Sequence, residues 1–165
     1  MTQPFNRILV PTDFSLDAEH AVRIASALSH SYSAPVTILH VYDPVAFPLP
    51  DGYVMYTSRQ LARIWAELDS RLAQAERDAR SAGAVKTETR LRQGITASEI
   101  VSFARAEGFD LIVMGTHGRT GVGRVLLGSV AARVVQTAHC PVLAVKRAKQ
   151  RSETEAGVPA AVQTP

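Results

Sequence analysis

The segment DLIVMGTHGRTGVGRVLLGS, Asp110 to Ser129, decides how this chain is read. Asp110 to Met114 is a short apolar run of the kind that forms a strand buried on both faces. Five glycines, Gly115, Gly118, Gly121, Gly123 and Gly128, then fall within fourteen residues, and Ser129 opens a helical stretch to about Ala138. Glycine permits φ > 0 and lets a ligand come close to bare N–H groups. Successive amides in such a turn form an anion nest, and the helix N-terminus that follows adds a partial positive charge. Arg119 and Arg124 bring full charges and Ser129 a hydroxyl. Placement directly after a buried strand favours phosphate binding over a plain flexible loop. The segment is not a P-loop, because no G-x-x-x-x-G-K-[ST] occurs. It is not G-x-G-x-x-G either, because Leu126 stands where the third glycine belongs.

Working outward, strand and helix signals alternate along the whole chain. Arg7 to Pro11 is a buried strand ending in Thr12-Asp13-Phe14-Ser15, with Ser15 as a helix cap and Asp17 and Glu19 near the positive helix end. That helix runs to about Ser31, with Ala21, Ile24, Ala25 and Leu28 on one stripe. Val36 to about Val41 is a second buried strand, and residues 43–57 are a proline-rich loop, a candidate lid. A long helix over 58–82 carries Leu61, Ile64, Trp65, Leu68, Leu72, Ala75 and Ala79 at helical spacing, and Gly83 stops it. Val85 to Arg92 alternates apolar and charged, which predicts an edge strand with one face in solvent. Thr96-Ala97-Ser98-Glu99 predicts a capping box opening a helix to Glu107, with Gly108 ending it. Pro141 to Lys146 is the last strand, and residues 148–165 read as a disordered tail after a single domain over 1–147. The β-α alternation predicts an α/β domain, doubly wound, with five parallel strands and helices on both faces.

Composition narrows the classes. The chain has 165 residues, enough for one domain with a sizeable core. Lys and Arg number 18 against 15 Asp and Glu, a net charge of +3, which is no nucleic-acid footprint by itself. A single cysteine, Cys140, excludes an internal disulfide and a cysteine-rich zinc site. Cys140, before Pro141, reads as an inert small apolar residue. His20, His30, His40 and His139 show no ligand spacing with His117, so no metal site built from side chains is expected. No apolar run approaches a membrane span, and Asp13 stands where a signal peptide needs its apolar stretch. A reduced, cytoplasmic protein without membrane or nucleic-acid partners is the expectation.

The spacing Gly115-x2-Gly118-x9-Gly128-Ser129 resembles the nucleotide-binding signature of the universal stress protein family. The likeness runs over about 5–146 and includes Ile8 to Ser15, the strand ending His40 to Asp43, and Pro141 to Lys146. It implies the strand order 3-2-1-4-5, which makes strands 1 and 4 neighbours at the switch point where open α/β sheets bind ligands. It also implies the ATP-binding type of the family, with Mg²⁺ or Mn²⁺ carried on the phosphates. By that likeness Asp13 contacts the ribose and backbone groups of Val41 read the adenine edge. Gly115, His117, Gly118, Arg119, Gly128, Ser129 and Val130 hold the phosphates, and Met114 lines the pocket beside Pro11 and Thr12. The residues have simpler roles as well: Asp13 as a turn or cap residue, Ser129 as the N-cap of the last helix, His117 as a plain loop residue.

No carboxylate occurs in 115–129, so the loop offers no evident general base for phosphoryl transfer. The residues support slow hydrolysis or autophosphorylation at most, and the reading is a nucleotide-dependent sensor or switch in stress response. A phospho-acceptor receiver domain lacks its acidic residue at Leu91-Arg92-Gln93-Gly94, and an adenosine-nucleotide ligase or hydrolase lacks a glycine loop after strand 1. The remaining alternative is a homodimeric interaction module with a vestigial pocket. The last strand is apolar on both faces yet lies at a sheet edge, which predicts pairing of two copies through Val142, Leu143 and Val145.

Overall fold

A computed structural model describes residues 4–43, 57–116 and 127–147. The expected phosphate contacts His117, Gly118 and Arg119, nearly all of the 43–57 loop and the 148–165 tail lie outside the described residues. The elements are β1 Ile8–Pro11, α1 Leu16–Tyr32, β2 Val36–Tyr42, α2 Ser58–Ser81, β3 Thr87–Gln93, α3 Thr96–Ala106, β4 Leu111–Gly115, α4 Ser129–Thr137 and β5 Val142–Val145. The five strands form one parallel sheet in the order β3-β2-β1-β4-β5. The doubly wound fold expected above is therefore the fold observed.

Strand alternation sends side chains to both faces, and helices bury both. Ile8, Val10, Ile38 and Val113 pack under α1 and α2. Leu9, Leu39, Ile112 and Met114 pack under α3 and α4. Burying each such side chain contributes about 1.5–3 kcal/mol, which is what fixes the layer order. The stripe on α2 is less buried than its spacing suggests: Leu68, Leu72 and Ala79 are buried, while Leu61, Ile64 and Trp65 are half-buried.

Three local expectations need correction. The capping box at Thr96 does not form: Ile95 occupies the N-cap and no side chain caps α3. Glu99 is drawn away to Arg92, whose Nε lies 2.8 Å from its carboxylate. A capping box occurs instead at Thr57, which exchanges hydrogen bonds with Gln60. The edge strand begins at Thr87 and leaves Val85 59% exposed, because pairing with β2 starts at Val36 opposite Thr87. Third, Ser129 is the first residue of α4, with Gly128 as its N-cap.

Candidate functional site

Three features of the sheet open a crevice. β1 pairs with β4 only at Ile8–Leu111 and Leu9–Ile112. β1 stays with β2 as far as Pro11–Leu39, and β4 stays with β5 as far as Gly115–Val145. The carboxyl ends of β1 and β4 therefore part after Leu9 and Ile112, at the point where strand order reverses. β2 also outruns β1. The Leu39 carbonyl accepts from Thr12 N–H at 2.8 Å, and Leu39 is the last β2 residue paired with β1. Main-chain groups alternate sides along a strand, so those of Val41 point the same way as those of Leu39, past the end of β1.

The turn leaving β1 is held by its own polar side chains. Thr12 Oγ1 accepts from Phe14 N–H at 3.0 Å and Asp13 Oδ1 from Ser15 N–H at 3.0 Å. Ser15 Oγ caps α1 by accepting from Ala18 N–H. Asp13 thus has the turn role as well as a place at the crevice. Phe14 sits at φ 62°, a conformation that costs a bulky residue about 1–3 kcal/mol. Its ring lies 4.6 Å from that of His40. His40 Nδ1 is 2.7 Å from the Thr12 carbonyl, which only accepts, so the Nδ1 proton is assigned there. Buried His40 thereby ties β2 to the turn.

A cavity of about 190 Å³ occupies the crevice. It brings together Pro11, Thr12, Asp13, Val41, Met114, Gly115, Gly128, Ser129 and Val130, all of the described residues predicted for the site. Leu39, Thr96, Ile100, Thr116 and Ala131 line it too and were missed. Their signal was available only jointly: a parallel sheet collects the N-termini of its helices at the carboxyl edge, which brings Thr96 of α3 beside α4.

Of the five loop glycines, the two described ones, Gly115 and Gly128, do not serve a left-handed turn. Neither Gly115 nor Gly128 takes a positive φ, and Gly128 lies at −64°. Gly115 is required by close approach: a Cβ there would stand 2.9 Å from the main-chain carbonyl carbon of Asp17. β4 can abut the first turn of α1 only without a side chain.

Two helix N-termini beside the crevice contrast in charge. α1 is capped by Ser15 and carries Asp17 and Glu19 in its first turn. α4 has no side-chain cap and no acidic residue in its first turn. Its leading N–H groups have no intrahelical partner by geometry, and Ser129 beside them is exposed. That end of α4 is fitted to receive an anion. Among the described residues no group of three or more metal-ligating side chains occurs.

A second, larger cavity of about 530 Å³ lies between α1 and α2. It shares only Thr12 with the predicted set and carries both charge signs, Glu19 and Asp78 with Arg23 and Arg71. Apart from Thr12 and Phe14 its lining comes from α1, α2 and Ala82 just after α2, and it includes no residue of β4 or α4.

Comparison with known proteins agrees with this fold. The model of the universal stress protein family matches residues 4–146. A universal stress protein of Methanocaldococcus jannaschii is 40% identical, over 88% of this chain and 85% of the relative. The universal stress protein from Archaeoglobus fulgidus solved in complex with dAMP has a TM-score of 0.62 and 26% identity, over 85% of this chain and 97% of its own. A universal stress protein solved in complex with cAMP has a TM-score of 0.66 and 27% identity, over 86% of this chain and 97% of its own.

Proposed function

The chain belongs to the universal stress protein family, and from that premise we propose that it binds an adenine nucleotide, ATP by preference, in the crevice between β1 and β4. The observation that carries this reading is the uncapped, acid-free N-terminus of α4, which opens into the same cavity as the main-chain edge of Val41. The polyphosphate lies against the N–H groups of Gly128, Ser129 and Val130, joined by Gly115, His117, Gly118 and Arg119 as the family signature implies. Asp13 accepts from a ribose hydroxyl pair. The Val41 main chain meets the adenine edge, and Pro11, Thr12 and Met114 supply apolar walls. Mg²⁺ or Mn²⁺ enters on the phosphates. Nucleotide-bound family members of the same fold support the class of ligand.

The protein acts as a nucleotide-dependent switch in stress response, with at most slow hydrolysis or autophosphorylation, in the cytoplasm. No described helix is long and apolar enough to cross a membrane. Two copies pair through β5, where Leu143 is 39% exposed between half-buried Val142 and Ala144. The same exposed edge favours the second reading, an interaction module whose pocket is vestigial.

The test begins with protein purified without added nucleotide, denatured, and its released small molecules identified by mass. Mg·ATP is then titrated into stripped wild type and Ser129→Glu. Ser129 is exposed in the first turn, where a carboxylate suits the helix while repelling phosphate. Saturable binding that weakens by about tenfold or more in the variant is expected. No released nucleotide and no binding at millimolar ATP would leave the interaction-module reading.

A further inference from the structure

We propose that the outer seam between α3 and α4 is a docking groove for an acidic segment of a partner protein. This goes beyond the nucleotide reading and does not rest on it. The groove measures about 350 Å³ and is lined by Ser98, Val101, Ser102 and Arg105 of α3 with Arg133 and Thr137 of α4. Arg105 and Arg133 face it from opposite walls, and among the described residues no carboxylate lines it.

The missing counter-charge has a structural origin. α4 contains no acidic residue at all. The two carboxylates at the ends of α3 are committed elsewhere: Glu99 binds Arg92 at 2.8 Å, and Glu107 lies 3.9 Å from Arg7. Neither Arg105 nor Arg133 enters an ion pair among the described residues. By contrast, the arginines of α2 and β3 at 71, 80, 90 and 92 each hold a glutamate.

The rest of the groove suits a chain laid along it. Ser98, Val101 and Ser102 are small, so a main chain approaches α3 closely. The Ser102 and Thr137 hydroxyls donate to the Glu99 and Arg133 carbonyls, and among the described lining residues the two guanidinium groups are the only charges. Guanidinium recognises carboxylate through paired donors, and two of them on facing helices select a segment with carboxylates spaced to meet both. A nucleic acid is the poorer occupant, since two cations without an aromatic stacking platform give neither a phosphate track nor base contacts.

The experiment follows fluorescence anisotropy of a fluorescein-labelled hexaglutamate on the full chain, with labelled hexaserine and a labelled oligothymidylate as comparison probes. Both arginines are exposed, so Arg105→Gln/Arg133→Gln should fold as wild type does, which circular dichroism verifies. Saturable hexaglutamate binding is expected, weakened by about tenfold or more in that double variant and only partly recovered in Arg105→Lys/Arg133→Lys, which keeps the charges but not the paired donors. Amide shifts on peptide addition should cluster at 98–105 and 133–137. Absent binding, affinity unchanged by the double variant, shifts centred elsewhere, or tighter binding of the oligothymidylate would each overturn the proposal.

Discussion

Gly115 and Asp17 meet so closely that a Cβ on Gly115 would lie 2.9 Å from the main-chain carbonyl carbon of Asp17. The glycine that opens the Gly115-x2-Gly118-x9-Gly128-Ser129 spacing is therefore fixed first by packing of α1 on β4. Thr116 adds a contact of 3.5 Å from its hydroxyl to the Asp17 carboxylate at the same junction.

Gly115→Ala should consequently lower stability by about 1–3 kcal/mol, since the obstructing atoms are backbone and cannot swing aside. The urea midpoint measured without nucleotide checks this. A midpoint equal to that of wild type would show that the junction yields.

Asp110 ties the chain entering β1 to the start of β4. Its carboxylate accepts from Asn6 N–H at 2.7 Å, Asn6 Nδ2 at 3.0 Å and Arg7 N–H at 3.0 Å. Partial burial pushes its pKa up, but the Arg7 and Asn6 hydrogen bonds outweigh burial and hold it below the usual carboxylate range. A depressed folded-state pKa gives stability that is present above the unfolded value, about 3.9, and lost as pH falls through the folded one. Asp110→Asn should cost about 1 kcal/mol at pH 7. The gap to wild type should close below about pH 4. Paired denaturation curves across that range test it, and a gap constant with pH would argue against the charge.

Cys140 is half-buried at the entrance to β5. Burial, reinforced by the charge of Asp110, pushes its thiol pKa up. Alkylation by iodoacetamide at pH 7 should be several-fold slower than for a free thiol and should accelerate once urea unfolds the chain. A rate above that of free cysteine would mark a reactive thiol instead.

Leu143→Glu places a charge on the exposed apolar edge of β5. If two copies pair there, light scattering should give wild type twice the 17.8 kDa chain mass and the variant a single-chain mass. Wild type sedimenting as one chain at micromolar concentration would exclude the pairing.

The order and type of all nine described elements could be read in the sequence, because periodicity and glycine stops are local. Ser15 as cap and Gly83 and Gly108 as helix stops followed directly from residue type, and both glycines take a positive φ. Nine of the twelve expected site residues meet in one cavity, because in a parallel sheet the residue after each strand arrives at the same edge. Tertiary structure decided what depends on distant partners. Glu99 left its capping box for Arg92, a residue on β3, and Gly115 owes its identity to α1, nearly a hundred positions earlier. Val85 lost its place in the sheet because the register of β3 is set by β2. Thr96, Ile100 and Ala131 entered the cavity wall because α3 and α4 pack side by side. Local sequence fixes which elements form through short-range sterics and hydrogen bonding. Register, close approach and charge pairing are settled only when those elements compete for the same neighbours.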